Sequence, residues 1–123
     1  MAYSYTIIPE KKLVHILIQA STEVSEIVNC IKEVVFDEQY QPDFKILIEL
    51  RAHYIPTASE MKHIAKLIIG LEMQFRNKVA LMVSEDFLNQ MVHLAEYYIT
   101  KRTAVNLEVF SDSEESYTWL EEG

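Results

Sequence analysis

Glycine and proline are scarce in this chain. Its 123 residues include two glycines, Gly70 and Gly123, and three prolines. Walker A and Rossmann nucleotide sites both need several glycines at fixed spacing, because glycine lets the backbone approach the phosphates closely. The shortage excludes both kinds of site. The sequence also lacks the His-Glu-x-x-His motif of zinc proteases and the Gly-x-Ser-x-Gly motif of α/β-hydrolases.

Cysteine is represented once, by Cys30, so the chain has no internal disulfide. Because Cys30 lies beside the apolar stripe of a predicted helix, we expect a buried, unreactive thiol. No apolar run approaches the ~18 residues of a membrane span. The first residues, Met1 to Tyr5, have neither the basic nor the apolar region of a signal peptide. We therefore expect a cytoplasmic protein that does not insert into membranes.

Basic residues are outnumbered, 11 against 19 acidic, and the net charge is −8. Proteins that bind nucleic acid neutralise its phosphates with Lys and Arg. Here the basic residues are scattered, and the closest pairs are Lys11-Lys12 and Lys101-Arg102. We therefore expect neither nucleic acid nor an anionic membrane surface among the partners.

Apolar residues, in contrast, are plentiful at 50% of the chain, which is enough for one folded domain over 1–123. Five segments have the composition of β-strands, and four carry the apolar spacing of amphipathic helices. The predicted strands are 3–8, 13–20, 44–50, 78–84 and 105–110. The apolar helix stripes run over 24–35, 61–75, 87–99 and 117–120.

Helix starts are indicated by hydroxyl and acidic residues just before each stripe. We expect N-caps at Ser21-Thr22 for the first helix and at Ser84 or Asp86 for the third. Two pairs have the spacing of a capping box, in which the first side chain and the fourth bond each other's backbone N–H groups. They are Thr57 with Glu60 and Ser111 with Glu114.

The element order ββαβαβαβα predicts an α/β fold. It combines a mixed, mostly parallel five-stranded sheet with about four helices. The opening hairpin makes one strand antiparallel. The central strand contains the consecutive apolar residues Ile46, Leu47 and Ile48, which indicates burial on both faces. Ligands of such folds usually bind where a central strand passes into the next helix.

Three segments resemble the SpoIIAA-like branch of the STAS superfamily, the domain of sulfate transporters and anti-sigma-factor antagonists. They are Ile48-Glu-Leu-Arg51, Val79-Ala-Leu-Met-Val-Ser84 and Val109-Phe-Ser-Asp-Ser-Glu-Glu-Ser-Tyr-Thr-Trp-Leu120. The resemblance implies a non-enzymatic module that acts through protein contacts, with no cofactor. CRAL-TRIO lipid-transfer domains are similar to this branch, which implies the alternative of a carrier for a small apolar or lipid-like molecule.

In signalling STAS domains, the turn after the central strand carries an Asp-Ser-Ser-Gly-like motif with a phosphorylated serine. The corresponding turn here is Pro56-Thr-Ala-Ser-Glu60, which has no acid directly before its hydroxyls and no glycine after them. The resemblance makes Thr57 and Ser59 candidate phosphorylation sites. Helix capping is the alternative role, and Thr57 already fits it.

A recognition surface is predicted around this turn, formed by Glu49, Arg51, His53 and Tyr54 together with the two hydroxyl residues. Period-2 spacing places Glu49, Arg51 and His53 on one face of an extended strand. Arg51 could then hold an anion and His53 could move a proton. The alternative, which we favour, is an ion pair at the sheet edge with a solvated histidine.

The remaining histidines have structural interpretations. His15 lies among apolar strand residues, so we expect a hydrogen-bonded structural role. Glu60 and His63 form a single Glu-x-x-His pair, whereas di-metal carboxylate sites use two such pairs, so we expect no metal. His93 and Tyr97 are i, i+4 neighbours that could line the rim of a cleft.

Methionine and aromatic residues are frequent in the second and third predicted helices. Core packing explains most of them. The segment Leu71-Glu-Met-Gln-Phe75 is more apolar than one buried stripe requires, which suggests an exposed surface and a homodimer. The partner would then be a second copy or another protein.

Overall fold

The computed structural model describes residues 3–19, 23–51 and 57–122. It contains five strands: β1 (Tyr3–Ile8), β2 (Leu13–Ile18), β3 (Lys45–Leu50), β4 (Val79–Met82) and β5 (Leu107–Phe110). The four α-helices are α1 (Val24–Val35), α2 (Ala58–Gly70), α3 (Leu88–Ala95) and α4 (Ser113–Glu121). None of these helices has the length and apolar content of a membrane span.

The strands form one sheet in the order β1-β2-β3-β4-β5. β1 and β2 are antiparallel, and the three remaining pairs are parallel. The predicted fold class is therefore confirmed, including the single antiparallel strand contributed by the opening hairpin. β3 lies at the centre, as the run Ile46-Leu47-Ile48 predicts.

The two faces of the sheet are covered unequally. On one face α1 and α2 close over alternate strand residues such as Val14, Ile16 and Ile46, which form the main core. On the other face α4 packs against β4 and β5 and forms a smaller core around Leu47 and Leu120. Leu47 is fully buried and Ile46 nearly so, so the central strand is covered on both sides.

Two predicted helix caps are wrong by one or two residues. α1 begins at Val24 with Glu23 as N-cap, and Glu26 Oε1 accepts from the Glu23 N–H at 3.2 Å, so carboxylates cap this helix in place of the expected hydroxyls. Ser21 and Thr22 lie outside the described residues. α4 takes Asp112 rather than Ser111 as N-cap, and the Asp112 carboxylate accepts from the Glu114 N–H at 3.2 Å. The ionised oxygen is the stronger acceptor in both places.

The predicted second and third helices are each broken into shorter segments. α2 ends at Gly70 and is followed by a 3-10 turn over Glu72–Gln74. The third helix consists of a 3-10 turn (Glu85–Phe87), α3 and then a π-helical segment (Glu96–Thr100). The apolar spacing over 87–99 predicts one continuous helix and gives no indication of the π turn, whose hydrogen bonds run i→i+5.

Candidate functional site

Glu49, near the carboxyl end of β3, joins two strands through its side chain. His15, on the neighbouring strand β2, places Nε2 2.9 Å from Glu49 Oε1. Arg51 donates from Nη2 to Glu49 Oε2 at 3.4 Å. Both oxygens of one carboxylate are therefore occupied. His15 thus has a hydrogen-bonding partner in this carboxylate. The predicted shared face of Glu49, Arg51 and His53 depends on a strand that continues, whereas β3 ends at Leu50 and His53 lies outside the described residues.

The parallel register explains why these side chains meet. Leu17 of β2 lies opposite Glu49, so His15 and Glu49 point from the same face of the sheet at diagonally adjacent positions. This is the face on which α4 packs, mainly against β4 and β5. The Glu49 side chain keeps 17% of its exposure, whereas that of Arg51 keeps 62%. The guanidinium thus extends from a fixed carboxylate into solvent.

A shallow depression of about 360 Å³ lies at the carboxyl ends of β3 and β4 and just after β5. Its polar lining consists of Glu49, Arg51, Ser84 and Ser111, and its apolar lining of Leu50, Met82 and Val83. This is the edge of an α/β sheet where ligands usually bind. We call it the carboxyl-edge depression.

Chemically, the carboxyl-edge depression offers hydrogen bonds and charge rather than an activated group. Among the described residues, no hydrogen bond connects the hydroxyl of Ser84 or Ser111 to a histidine or carboxylate that could act as a base. Residues 3–19, 23–51 and 57–122 also contain no group of three His, Cys, Asp or Glu side chains placed to hold a metal ion. The arrangement is suited to binding.

The predicted recognition turn is only partly within the described residues. Thr57 is the N-cap of α2, and its Oγ1 accepts from the Glu60 N–H at 3.2 Å. Glu60 Oε1 accepts from the Thr57 N–H at 2.9 Å, so this capping box is confirmed. His53 and Tyr54 lie outside the described residues.

Ser59 does not line the carboxyl-edge depression. It lies in a separate groove of about 560 Å³ between α1 and α2. Two of the residues that line the groove are apolar, three are lysines and one is a histidine. It is lined by Val28, Lys32, Ser59, Lys62, His63, Lys66 and Leu67, and we call it the α1/α2 groove.

Sequence reasoning missed the α1/α2 groove, because Lys32 is 30 residues away from Lys62 and the basic residues look scattered along the chain. A weak signal was available. Lys62 and Lys66 are i, i+4 neighbours, so they share one face of any helix that contains both.

His93 and Tyr97 lie in two different helical segments. His93 is in the last turn of α3, whereas Tyr97 is in the π-helical segment, where i, i+4 neighbours are no longer aligned. Tyr97 is 55% exposed and packs edge-on against Tyr98, with ring centroids 4.8 Å apart. The Arg102 guanidinium lies 4.8 Å from its ring. Neither His93 nor Tyr97 lines the carboxyl-edge depression or the α1/α2 groove.

A small apolar cavity of about 40 Å³ lies between the sheet and the helices. Its lining is apolar throughout and comes from four strands, α1, α2 and two loops: Ile16, Ile31, Val34, Ile46, Ile48, Ile68, Phe75, Val79, Val105 and Leu107. Small-molecule sites usually measure ~300–1,000 Å³. This cavity therefore holds at most a very small apolar molecule.

Cys30 is fully buried in the main core. Burial raises the pKa of its thiol to about 12, with a smaller contribution from the charge of Glu33. Since the thiolate is the reactive form, the predicted inert role agrees with this environment.

Comparisons of the chain with family models, with curated proteins and with solved structures found no match. The resemblance to the SpoIIAA-like branch thus depends on the three sequence segments and on the element order.

Proposed function

We propose that this chain is a non-enzymatic interaction module of STAS-like type that binds another protein at the carboxyl-edge depression. The observation that supports this most directly is the fixed Glu49 carboxylate, which presents an exposed Arg51 beside an open, partly apolar surface. Arginine is enriched in protein interfaces, because its planar group makes several directed hydrogen bonds at once.

The shape of the depression favours a protein over a small molecule. A small ligand usually loses 70–90% of its surface on binding, which requires an enclosed pocket. The carboxyl-edge depression is shallow and opens to solvent along the ends of the strands. A loop or strand end of a partner can cover it and bond guanidinium N–H groups of Arg51 that are not used in the contact with Glu49.

A site-specific cross-linking experiment tests this proposal. A photoreactive amino acid replaces Ser84, at the rim of the depression, or Lys11, which is exposed at the opposite end of the sheet. Cross-linked proteins are identified by mass spectrometry in cells that express each variant. We expect a protein that is captured from position 84 and not from position 11.

The second step combines the cross-linker at position 84 with Arg51→Ala. The matched control is Arg76→Ala, which removes another exposed arginine near the amino end of β4. Capture that falls with Arg51→Ala but not with Arg76→Ala supports the proposal. Equal capture from positions 84 and 11, or capture unchanged by Arg51→Ala, would contradict it. Circular dichroism establishes that each variant is folded.

A carrier of a small apolar molecule is the second candidate, and the small apolar cavity is the observation that favours it. The cavity lies between sheet and helices, where such a ligand would be protected from water. Its volume of about 40 Å³ requires expansion before a lipid chain could enter. Native mass spectrometry of freshly purified protein distinguishes the candidates, because a stoichiometric co-purified ligand supports the carrier and a bare mass argues against it.

A further inference from the structure

The α1/α2 groove concentrates positive charge on an acidic protein. Lys32 of α1 faces Lys62 and Lys66 of α2 across the groove, and His63 lies between the two α2 lysines in sequence. All three lysines are exposed. No ion pair between described residues includes any of them.

The acidic residues of the same helices are engaged elsewhere. Glu23 and Glu26 cap the start of α1 through a reciprocal pair of backbone bonds. Glu33 accepts a hydrogen bond from the Tyr3 hydroxyl at 2.6 Å. Glu60 caps α2 at Thr57. No carboxylate of α1 or α2 forms an ion pair with a groove lysine among the described residues.

A complementary surface exists on α4 of the same chain. Glu114, Tyr117, Thr118 and Glu121 are exposed and recur at i, i+3, i+4 and i+7, which places them on one stripe. The buried residues of this helix, Ser116 and Leu120, face the sheet instead. The outer stripe of α4 is therefore acidic at both ends and aromatic in the middle.

The α1/α2 groove and α4 lie on opposite faces of the sheet, because α1 and α2 cover the main core and α4 the smaller one. The α4 helix of one copy cannot reach its own groove. We propose that the acidic stripe of α4 in one copy docks into the α1/α2 groove of a second copy. This contact is independent of the carboxyl-edge depression.

An aromatic contact supplements the charges. Phe36 follows Lys32 by one helical turn, at the end of α1, and is 74% exposed. On α2, Gly70 follows Lys66 by one turn, and a side-chain atom placed there would meet nothing within 4 Å. An exposed apolar ring with open space beside α2 thus lies one helical turn beyond the groove lysines, where Tyr117 of the docking helix could contact it.

The net charge of −8 does not prevent such a contact at physiological salt. Charges on exposed groups are screened over about 8 Å at an ionic strength near 0.15 M, so the nearest groups dominate. The nearest groups across the proposed contact are of opposite sign. Because the two surfaces differ, the contact is head-to-tail, and copies form a ring or an open chain.

Sedimentation velocity of the full chain tests the proposal. The protein is measured over a range of concentrations in about 150 mM and about 500 mM NaCl. We expect a weight-average mass above the monomer mass of 14.4 kDa that rises with concentration and falls at the higher salt. A monomer at every concentration in about 150 mM NaCl would overturn the proposal.

Charge reversal identifies the surfaces. We expect the double variant Lys62→Glu/Lys66→Glu to weaken association about tenfold or more, and likewise Glu114→Lys/Glu121→Lys. The matched control Lys11→Glu/Lys101→Glu changes net charge equally at two exposed lysines outside the groove and should keep most of the association. Loss of association in the control to the same extent would contradict the proposal.

Mixing provides the decisive measurement. Each reversed double variant alone presents like charges at the contact, whereas an equimolar mixture restores opposite charges between unlike copies. We expect the mixture to associate although each component remains monomeric and folded by circular dichroism. Failure of the mixture to associate would show that these two surfaces do not meet.

Discussion

The Glu49 carboxylate is shared between His15, with Nε2 at 2.9 Å on the neighbouring strand, and Arg51, with Nη2 at 3.4 Å just after the end of β3. The first contact joins β2 to β3 across the centre of the sheet. The second holds the base of an exposed guanidinium. One half-buried acid therefore connects the stability of the sheet to the presentation of the proposed binding surface.

A double-mutant cycle measures the first contact. We expect His15→Gln and Glu49→Gln to show a coupling of about 0.5–1 kcal/mol in the free energy of unfolding, because the Glu49 side chain is only 17% exposed. Urea denaturation followed by circular dichroism provides the values.

The Lys12–Asp43 pair is the matched control for this cycle. It has an N–O distance of 3.3 Å, but its side chains are 67% and 59% exposed. We expect a coupling of about 0–0.5 kcal/mol there. A coupling for His15 and Glu49 no larger than that of the control would mean that the buried contact adds nothing to stability.

Lys78 holds the end of α4 against the sheet. Its Nζ donates to the backbone oxygens of Trp119 at 2.6 Å and Glu122 at 2.8 Å, and lies 5.1 Å from the Trp119 ring centroid. We expect Lys78→Met to lower the free energy of unfolding by about 1–2 kcal/mol, because charged hydrogen bonds to the last helical carbonyls are lost.

The fluorescence of Trp119, the single tryptophan, reports on this contact directly. We expect a red-shifted emission in Lys78→Met before any denaturant is added, since the ring gains exposure to water. Lys66→Met, which removes an exposed lysine of α2 on the opposite face of the sheet from α4, should leave the emission unchanged. An unshifted emission in Lys78→Met would show that α4 is held by its apolar residues alone.

Tyr5 connects the edge strand β1 to the residues after α1. Burial, together with the hydrogen bond to Asp37 at 3.0 Å, raises the pKa of Tyr5 to about 12. The folded state then retains the phenol proton at a pH where the unfolded chain, with a tyrosine pKa near 10, releases it. The stabilisation is complete below pH ~10 and is lost as the pH rises toward about 12.

When the pH is raised from about 9 to about 11, we therefore expect the free energy of unfolding to fall less in Tyr5→Phe than in the unmodified protein. Urea midpoints measure this difference. The hydrogen bond to Glu33 raises the pKa of Tyr3 to about 12 in the same way, so Tyr3→Phe should add to the effect. Tyr117→Phe, at an exposed position on α4, is the control. Equal pH dependence in Tyr5→Phe and the control would contradict the assigned cause.

The sequence predicts those features that depend on local chemistry. The three apolar residues at 46–48 identify the central strand, and the Thr57–Glu60 spacing identifies the start of α2. The caps at Glu23 and Asp112 differ from the prediction because hydroxyls and carboxylates compete for adjacent positions. The His15–Glu49 contact and the α1/α2 groove depend on how distant segments pack, which no local pattern encodes.

Thr57 and Ser59 provide the last prediction, because the two candidate phosphorylation sites lie in different surroundings. Thr57 Oγ1 caps α2, whereas Ser59 is in the first turn of α2 and lines the α1/α2 groove near Lys62 and His63. A negative charge at position 59 meets the positive end of the helix dipole and nearby cations. We expect Ser59→Glu to raise the free energy of unfolding by about 0.3–1 kcal/mol.

A glutamate at position 57 removes the capping hydroxyl of Thr57 and places a second carboxylate beside Glu60. We expect Thr57→Glu to lower the free energy of unfolding by about 0.5–1.5 kcal/mol. Urea denaturation compares both variants with the uncharged controls Ser59→Gln and Thr57→Gln. If Ser59→Glu raises the free energy of unfolding relative to its control and Thr57→Glu lowers it, Ser59 is the hydroxyl whose phosphorylation the fold accommodates. Destabilisation by Ser59→Glu beyond that of Ser59→Gln would argue that the groove lysines do not stabilise a charge there.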